Sequence, residues 1–207
     1  MKGLLLKDFY MLKAYCKSYL LMLIIFLAAS FFGQNTFFIY YPCLMCGMIP
    51  VNLLAYDERS RFMQYSASLP VSRAQAVSEK YLIGLIILIP VLVITGIVQG
   101  IRMSVNGIFA AEEFTVMMLS LLLVAMLASS IPLPLIFKHG VEKGRIAYYL
   151  MIGFVCGSAV LFSEYFKSDR LSSIPSALIF ALLSVLGIGI YFLSWYLSIV
   201  FYKKREL

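Results

Sequence analysis

Six long apolar runs, joined by connections too short to fold on their own, confine this chain to a bilayer before any motif is read. They lie at about residues 15–33, 37–56, 81–101, 114–137, 146–162 and 176–202. About 20 apolar residues wound as a helix cross a hydrocarbon core, where backbone amides find no water and have to be satisfied within their own segment. The expected fold is therefore all-α: a polytopic membrane protein with six transmembrane helices, forming a single transmembrane domain over residues 1–207. A mean hydropathy of +0.94 leaves no stretch for a separate soluble domain. The first run is too long for a cleavable signal peptide and no small-residue cleavage pattern follows Phe32, so it is expected to stay as a span.

The basic residues give these spans a direction. With the N-terminus in the cytoplasm, Lys2, Lys7, Lys13, Lys17, Arg59, Arg61, Arg73, Lys80, Lys138, Lys143, Arg145, Lys203, Lys204 and Arg205 fall inside. Only Arg102, Lys167 and Arg170 fall outside. Short loops follow the positive-inside rule, so both termini and the connection at residues 57–80 are expected in the cytoplasm. The net charge of +7 is then explained by span-flanking residues that meet lipid headgroups, and a nucleic-acid partner is not expected.

Residues 1–15 read as an amphipathic interfacial helix: Lys2, Lys13 and Lys17 share one side while Leu5, Phe9 and Leu12 face elsewhere, with Lys7 and Asp8 interrupting the pattern. The alternative is the start of span one with snorkelling lysines. Residues 34–36 make a tight uncharged turn, and Phe37, Phe38, Tyr40 and Tyr41 suit an aromatic rim beside it. The connection at 57–80 is more structured than a polar loop. Asp57 can cap a short helix over 58–66 that carries Arg59, Arg61, Phe62 and Tyr65. Pro70 then disfavours helix at Leu69, and Ser72 with Gln75 forms a capping box, with Val71 placed to staple onto Ala76.

What the spans lack excludes several functions. No Asp, Glu, Lys, Arg or His lies in the central part of spans two to six, which speaks against an ion-coupled transporter. No nucleophile–base pair or ligand set suits an intramembrane protease. His139 stands alone at a span end, and Cys43 and Cys46 form a CxxC inside span two with no further ligands, so they read as packed side chains. Gly140–Arg145 lacks the Gly-Lys-Ser/Thr of a phosphate loop, so the chain has no ATP site of that type. Gly96 with Gly100, and Gly153 with Gly157, form two GxxxG motifs suited to close helix packing, in the same chain or between chains. Pro42, Pro50, Pro90, Pro132 and Pro134 suit kinked helices.

Asp57-Glu58-Arg59, then Ser68-Leu69-Pro70-Val71-Ser72-Arg73, then Val77 and Lys80-Tyr81, resemble the small ABC-2-type permeases of Gram-positive bacteria. In that family an acidic residue after span two, an S-L-P-x-S-R corner and a K-Y pair lead into span three. Pro132-Leu133-Pro134 with Phe137, Gly140 and Lys143, and the basic tail from Tyr202, are similar too. The resemblance implies a bacterial plasma-membrane location and a pair of six-span halves, from two copies of this chain or from two similar chains. It also implies a separate ATPase subunit, which binds the ATP and Mg and docks on a coupling helix after span two. The chain itself is then not an enzyme and holds no cofactor or metal. The coupling helix would comprise Asp57, Glu58, Arg59, Arg61, Phe62 and Tyr65, and its corner Ser68, Pro70, Ser72 and Arg73. Some family members export peptides, including lantibiotic self-protection systems and phenol-soluble modulin exporters, so amphipathic or hydrophobic peptides are the expected cargo, taken from the bilayer or the cytoplasm. An accessory or sensor subunit without transport activity is the other reading.

Overall fold

The computed structural model describes residues 2–15, 17–32, 37–66, 72–107, 110–166 and 176–204. These form nine helices: α1 (Lys2–Tyr15), α2 (Lys17–Phe32), α3 (Phe37–Arg59), α4 (Phe62–Ser66), α5 (Arg73–Val105), α6 (Ala111–Ser130), α7 (Pro132–His139), α8 (Val141–Phe166) and α9 (Ser176–Lys204). No strand occurs among the described residues.

Among the described residues, four stretches are long and apolar enough to cross a membrane: Phe38–Arg59, Arg73–Val105, Ala111–His139 and Ala177–Lys204. Gly3–Tyr15 and Lys17–Phe31 meet at a bend of 71°, and as one broken span they would make a fifth. Six were expected. The run at 15–33 starts at the bend, and the straight part left to α2 is 16 residues, about 24 Å at 1.5 Å per residue and short of a ~30 Å core. The run at 146–162 lies within α8, past the charged residues Glu142, Lys143 and Arg145, and the side chains of much of it lie outside the described residues.

α3 is the axis of the bundle. Cys43, Cys46, Ile49, Val51, Leu53 and Leu54 are buried along it. Its close approach to α6 depends on Gly47: a Cβ there would lie 2.6–2.8 Å from Ala128 atoms, backbone included. Pro42 and Pro50 sit inside α3 without ending it, as spans tolerate when neighbouring helices satisfy the freed carbonyls. α9 runs along the outside and exposes Leu182, Val185, Leu186, Phe192 and Leu193. On a soluble protein such a stripe would be a liability; in a bilayer it is the ordinary lipid face. The prolines of the fourth run do more than kink it. Pro132 starts a separate helix, α7, in the N-terminal positions where its missing N–H is harmless. Gly140, at φ 91°, then turns the chain into α8. Gly144 packs so tightly on Ile136 that no side chain fits between α7 and α8.

The two GxxxG motifs part company. Gly96 and Gly100 pack inside the chain, facing Met118 and Phe114 of α6. Gly153 and Gly157 have nothing within 4 Å of a Cβ position. The aromatic rim is partly drawn inward, with Tyr41 packed on Phe26 at 3.9 Å between centroids and the Tyr40 hydroxyl 2.7 Å from Ser120 Oγ.

Candidate functional site

The start of α5 is fixed by its own sequence. Ser72 is extended at φ −72°, ψ 148°, its Oγ accepts from Gln75 N at 3.2 Å, and its own N donates to Gln75 Oε1 at 3.1 Å. That is the expected capping box, and it sets the azimuth of every residue that follows. Glu79 and Lys80 turn toward α1 and α3, and Tyr81 turns toward α9.

α1 offers the first of these neighbours a buried face at four-residue spacing: Leu4, Asp8 and Leu12, of which Asp8 is 0% exposed. The end of α3 supplies Asp57, 3% exposed. Four charges then close an alternating ring. Lys80 Nζ lies 2.5 Å from Asp8 Oδ2 and 2.6 Å from Asp57 Oδ2. Lys7 Nζ lies 2.8 Å from Asp57 Oδ1 and 3.1 Å from Asp8 Oδ1, the last pair being close but not aligned for a hydrogen bond. Burying a charge costs several kcal/mol, and only alternation of sign at contact distance offsets it. Such a ring adds little net stability over an apolar replacement, but it pins three helices to one another, the middle of α1, the end of α3 and the early turns of α5, because losing any member leaves a buried charge unpaired.

Two further features join the ring to its surroundings. Glu79 is 1% exposed beside it, and its Oε1 has no hydrogen-bond partner among the described residues. Lys7 Nζ also sits 3.7 Å above the centroid of the Phe62 ring, a cation–π contact that fastens α4 to the ring.

The segment at 57–66 differs from the expected cap and helix. Asp57, Glu58 and Arg59 are the last residues of α3, and the helix runs on because Ser60 N still donates to Tyr56 O at 2.9 Å. Asp57 does not cap α4, since its carboxylate is taken by Lys7 and Lys80. The chain breaks at Arg61, which adopts φ 55°, and α4 covers only Phe62–Ser66 rather than 58–66. The candidate residues therefore separate. Glu58 Oε2 accepts from Val141 N at 3.0 Å and so holds the start of α8. Arg59, Arg61 and Tyr65 are exposed, and Phe62 is half-buried under Lys7. Arg73 Nη1 donates to the Lys203 carbonyl at 3.0 Å, tying the first residue of α5 to the last turn of α9. Ser68, Pro70 and Val71 lie outside the described residues.

The opposite side of α5 is held without charge. The Tyr81 hydroxyl is 2.7 Å from both Ser194 Oγ and Ser198 Oγ, and Ser194 Oγ donates to Ser130 O. Tyr191 donates to the Tyr81 carbonyl at 2.9 Å, and Trp195 Nε1 donates to Ser78 Oγ at 3.0 Å while stacking on Tyr81.

Lys7, Asp8 and Glu79 are site residues that the sequence did not single out, and Lys80 was read only as part of a motif. A signal was present: Lys7-Asp8 and Glu79-Lys80 are mixed-charge doublets bordering apolar segments, and Asp8 lies four residues from both Leu4 and Leu12. No group among the described residues is arranged to hold a metal ion.

Comparison with curated proteins and with solved structures gave no match. A family model described as ABC-2 family transporter protein matches residues 3–203. The match takes in all four members of the ring and nearly the whole length, and with it this chain belongs to the ABC-2 transporter family.

Proposed function

We propose that this chain is the permease subunit of an ATP-driven exporter, and that α4 with the ionic ring is where movement of the ATPase enters the membrane part. Membership of the family brings a membrane setting and an ATPase partner. The observation that carries the coupling role is the contact of Lys7 with both Asp57 and the face of Phe62. A push on α4 meets α1, α3 and α5 at once. Tyr65, 61% exposed, is the aromatic side chain offered to a partner.

In this reading six spans cross the bilayer of a bacterial plasma membrane, α8 and α2 completing the set, with the short α2 matched by local thinning of the bilayer and snorkelling of its flanking residues. α1 lies along the inner surface, and both termini and residues 57–80 face the cytoplasm, as the distribution of basic residues supports. Two such chains, identical or similar, pair through α2 and α8, whereas α3, which analogy with the family would add, is buried inside its own chain. The vacant surface at Gly153 and Gly157 favours that arrangement. ATP and Mg stay on the partner subunit, and the permease carries no chemistry of its own. The cargo is an amphipathic or hydrophobic peptide, a choice supported by spans without charge in their central parts. The test is copurification with a candidate ATPase subunit, then ATP hydrolysis in liposomes with candidate peptides. Stimulation by amphipathic peptides is expected. Turnover indifferent to every peptide, with normal ATPase binding and export in a Phe62→Ala, Tyr65→Ala double variant, would remove both the cargo and the coupling assignment.

A further inference from the structure

On the α8 side of α3 lies a cavity of about 590 Å³. Its wall includes Arg59, Lys143 and Arg145 against Glu58 and Glu142, and one of those acids, Glu58, is engaged by the Val141 amide. The first turn of α8, the positive end of its helix dipole, contributes to the same wall. At the back stands Asn52, 4% exposed, whose Nδ2 is buried without a hydrogen-bond partner. A buried amide left unpaired is unfavourable and marks a place where a ligand acceptor is missing. Directly beyond the basic rim, α8 exposes Ile146, Tyr149 and Leu150.

We propose that this cavity seats the phosphate of an anionic phospholipid, with the acyl chains lying along the exposed face of α8. Three observations converge on an amphiphile. Cations and an unpaired amide surround one polar volume, a helix N-terminus points the same way, and apolar surface continues from it at membrane depth. A phosphate oxygen satisfies Asn52 and takes charge-assisted bonds from Arg145 and Lys143. A soluble phosphate ester shares the headgroup chemistry but leaves the apolar face uncovered. The site is independent of transport.

The experiment uses the full chain in phosphatidylcholine nanodiscs, titrated with phosphatidylglycerol or with glycerol phosphate and read by native mass spectrometry. Phosphatidylglycerol should bind in preference to phosphatidylcholine. Lys143→Gln with Arg145→Gln should weaken it about tenfold, and Asn52→Leu by a similar factor. Both cations are exposed, so that double variant keeps the fold, and an unchanged melting temperature in pure phosphatidylcholine checks it. Lys204→Gln, which removes a basic residue elsewhere, should leave binding unchanged. Saturable binding of glycerol phosphate, lost in the double variant, supports the phosphate seat with a soluble source. Equal retention of both lipids, or equal loss with Lys204→Gln, overturns the proposal.

Discussion

Lys80 and Tyr81 are consecutive, yet they fasten α5 to opposite neighbours by opposite means. Lys80 joins α1 and α3 through charges at 2.5 and 2.6 Å. Tyr81 joins α9 through hydroxyls and an aromatic stack. The hydroxyl seam is built from several modest bonds, each near 0.6 kcal/mol in membrane proteins, so it loosens gradually as members are removed. The ionic ring has no such gradation. It is complete or it leaves a charge stranded. The first spreads its contribution over many bonds; the second ties three helices through one set of charges.

The sharpest way to break that comparison is to remove one charge. Asp57→Asn or Lys80→Met should destabilise by about 3–5 kcal/mol, read as a fall in melting temperature in detergent. Replacing Lys7, Asp8, Asp57 and Lys80 together by Met or Leu should recover most of the loss. Within the same cluster Glu79→Gln should change stability far less, because burial disfavours the charged form of that carboxyl and its Oε1 has no hydrogen-bond partner among the described residues. A drop comparable to that of Asp57→Asn would mean the charges are not alternating as described.

A smaller effect sharpens the contrast between packed and open surfaces. Gly47→Val should lose about 1–3 kcal/mol, since its side chain meets the Ala128 backbone. Gly153→Ala, with open space around it, should stay within about 0.5 kcal/mol. If Gly153→Ala is harmless to the single chain but shifts the ratio of pairs to single chains in crosslinking, the pairing face is located. Smallest is Tyr81→Phe, expected to lose about 1 kcal/mol or less, because Ser194 keeps its bond to the Ser130 carbonyl.

These differences also explain what was legible beforehand. The capping box at Ser72 is local, three residues wide, and could be read directly. So could the apolar runs, whose length is set by the bilayer. Asp57 could not, because a lone acid before a polar stretch looks like a helix cap, while its true partners lie 50 residues upstream and 23 downstream. Lys7 and Asp8 looked like flaws in an amphipathic pattern measured against a membrane surface; measured against α3 and α5, they are the pattern. The break after Tyr15 falls where the interfacial helix was expected to end, but the left-handed turn at Arg61 that shortens α4 escapes any count of apolar residues. Identical GxxxG spacing gave one packed pair and one open pair, since the motif records small side chains and not what approaches them.

The central claim is that the ring passes movement from α4 into three helices, and Lys7→Met tests it most directly, because Lys7 alone touches both Asp57 and Phe62. The permease and its ATPase would be reconstituted in liposomes, with ATPase binding, ATP turnover and peptide export measured on the same preparation. The account predicts that Lys7→Met still binds the ATPase and supports ATP turnover, while export per ATP falls about tenfold, equivalent to about 1.4 kcal/mol of lost coupling. Unchanged export per ATP in a variant that retains its fold would contradict it.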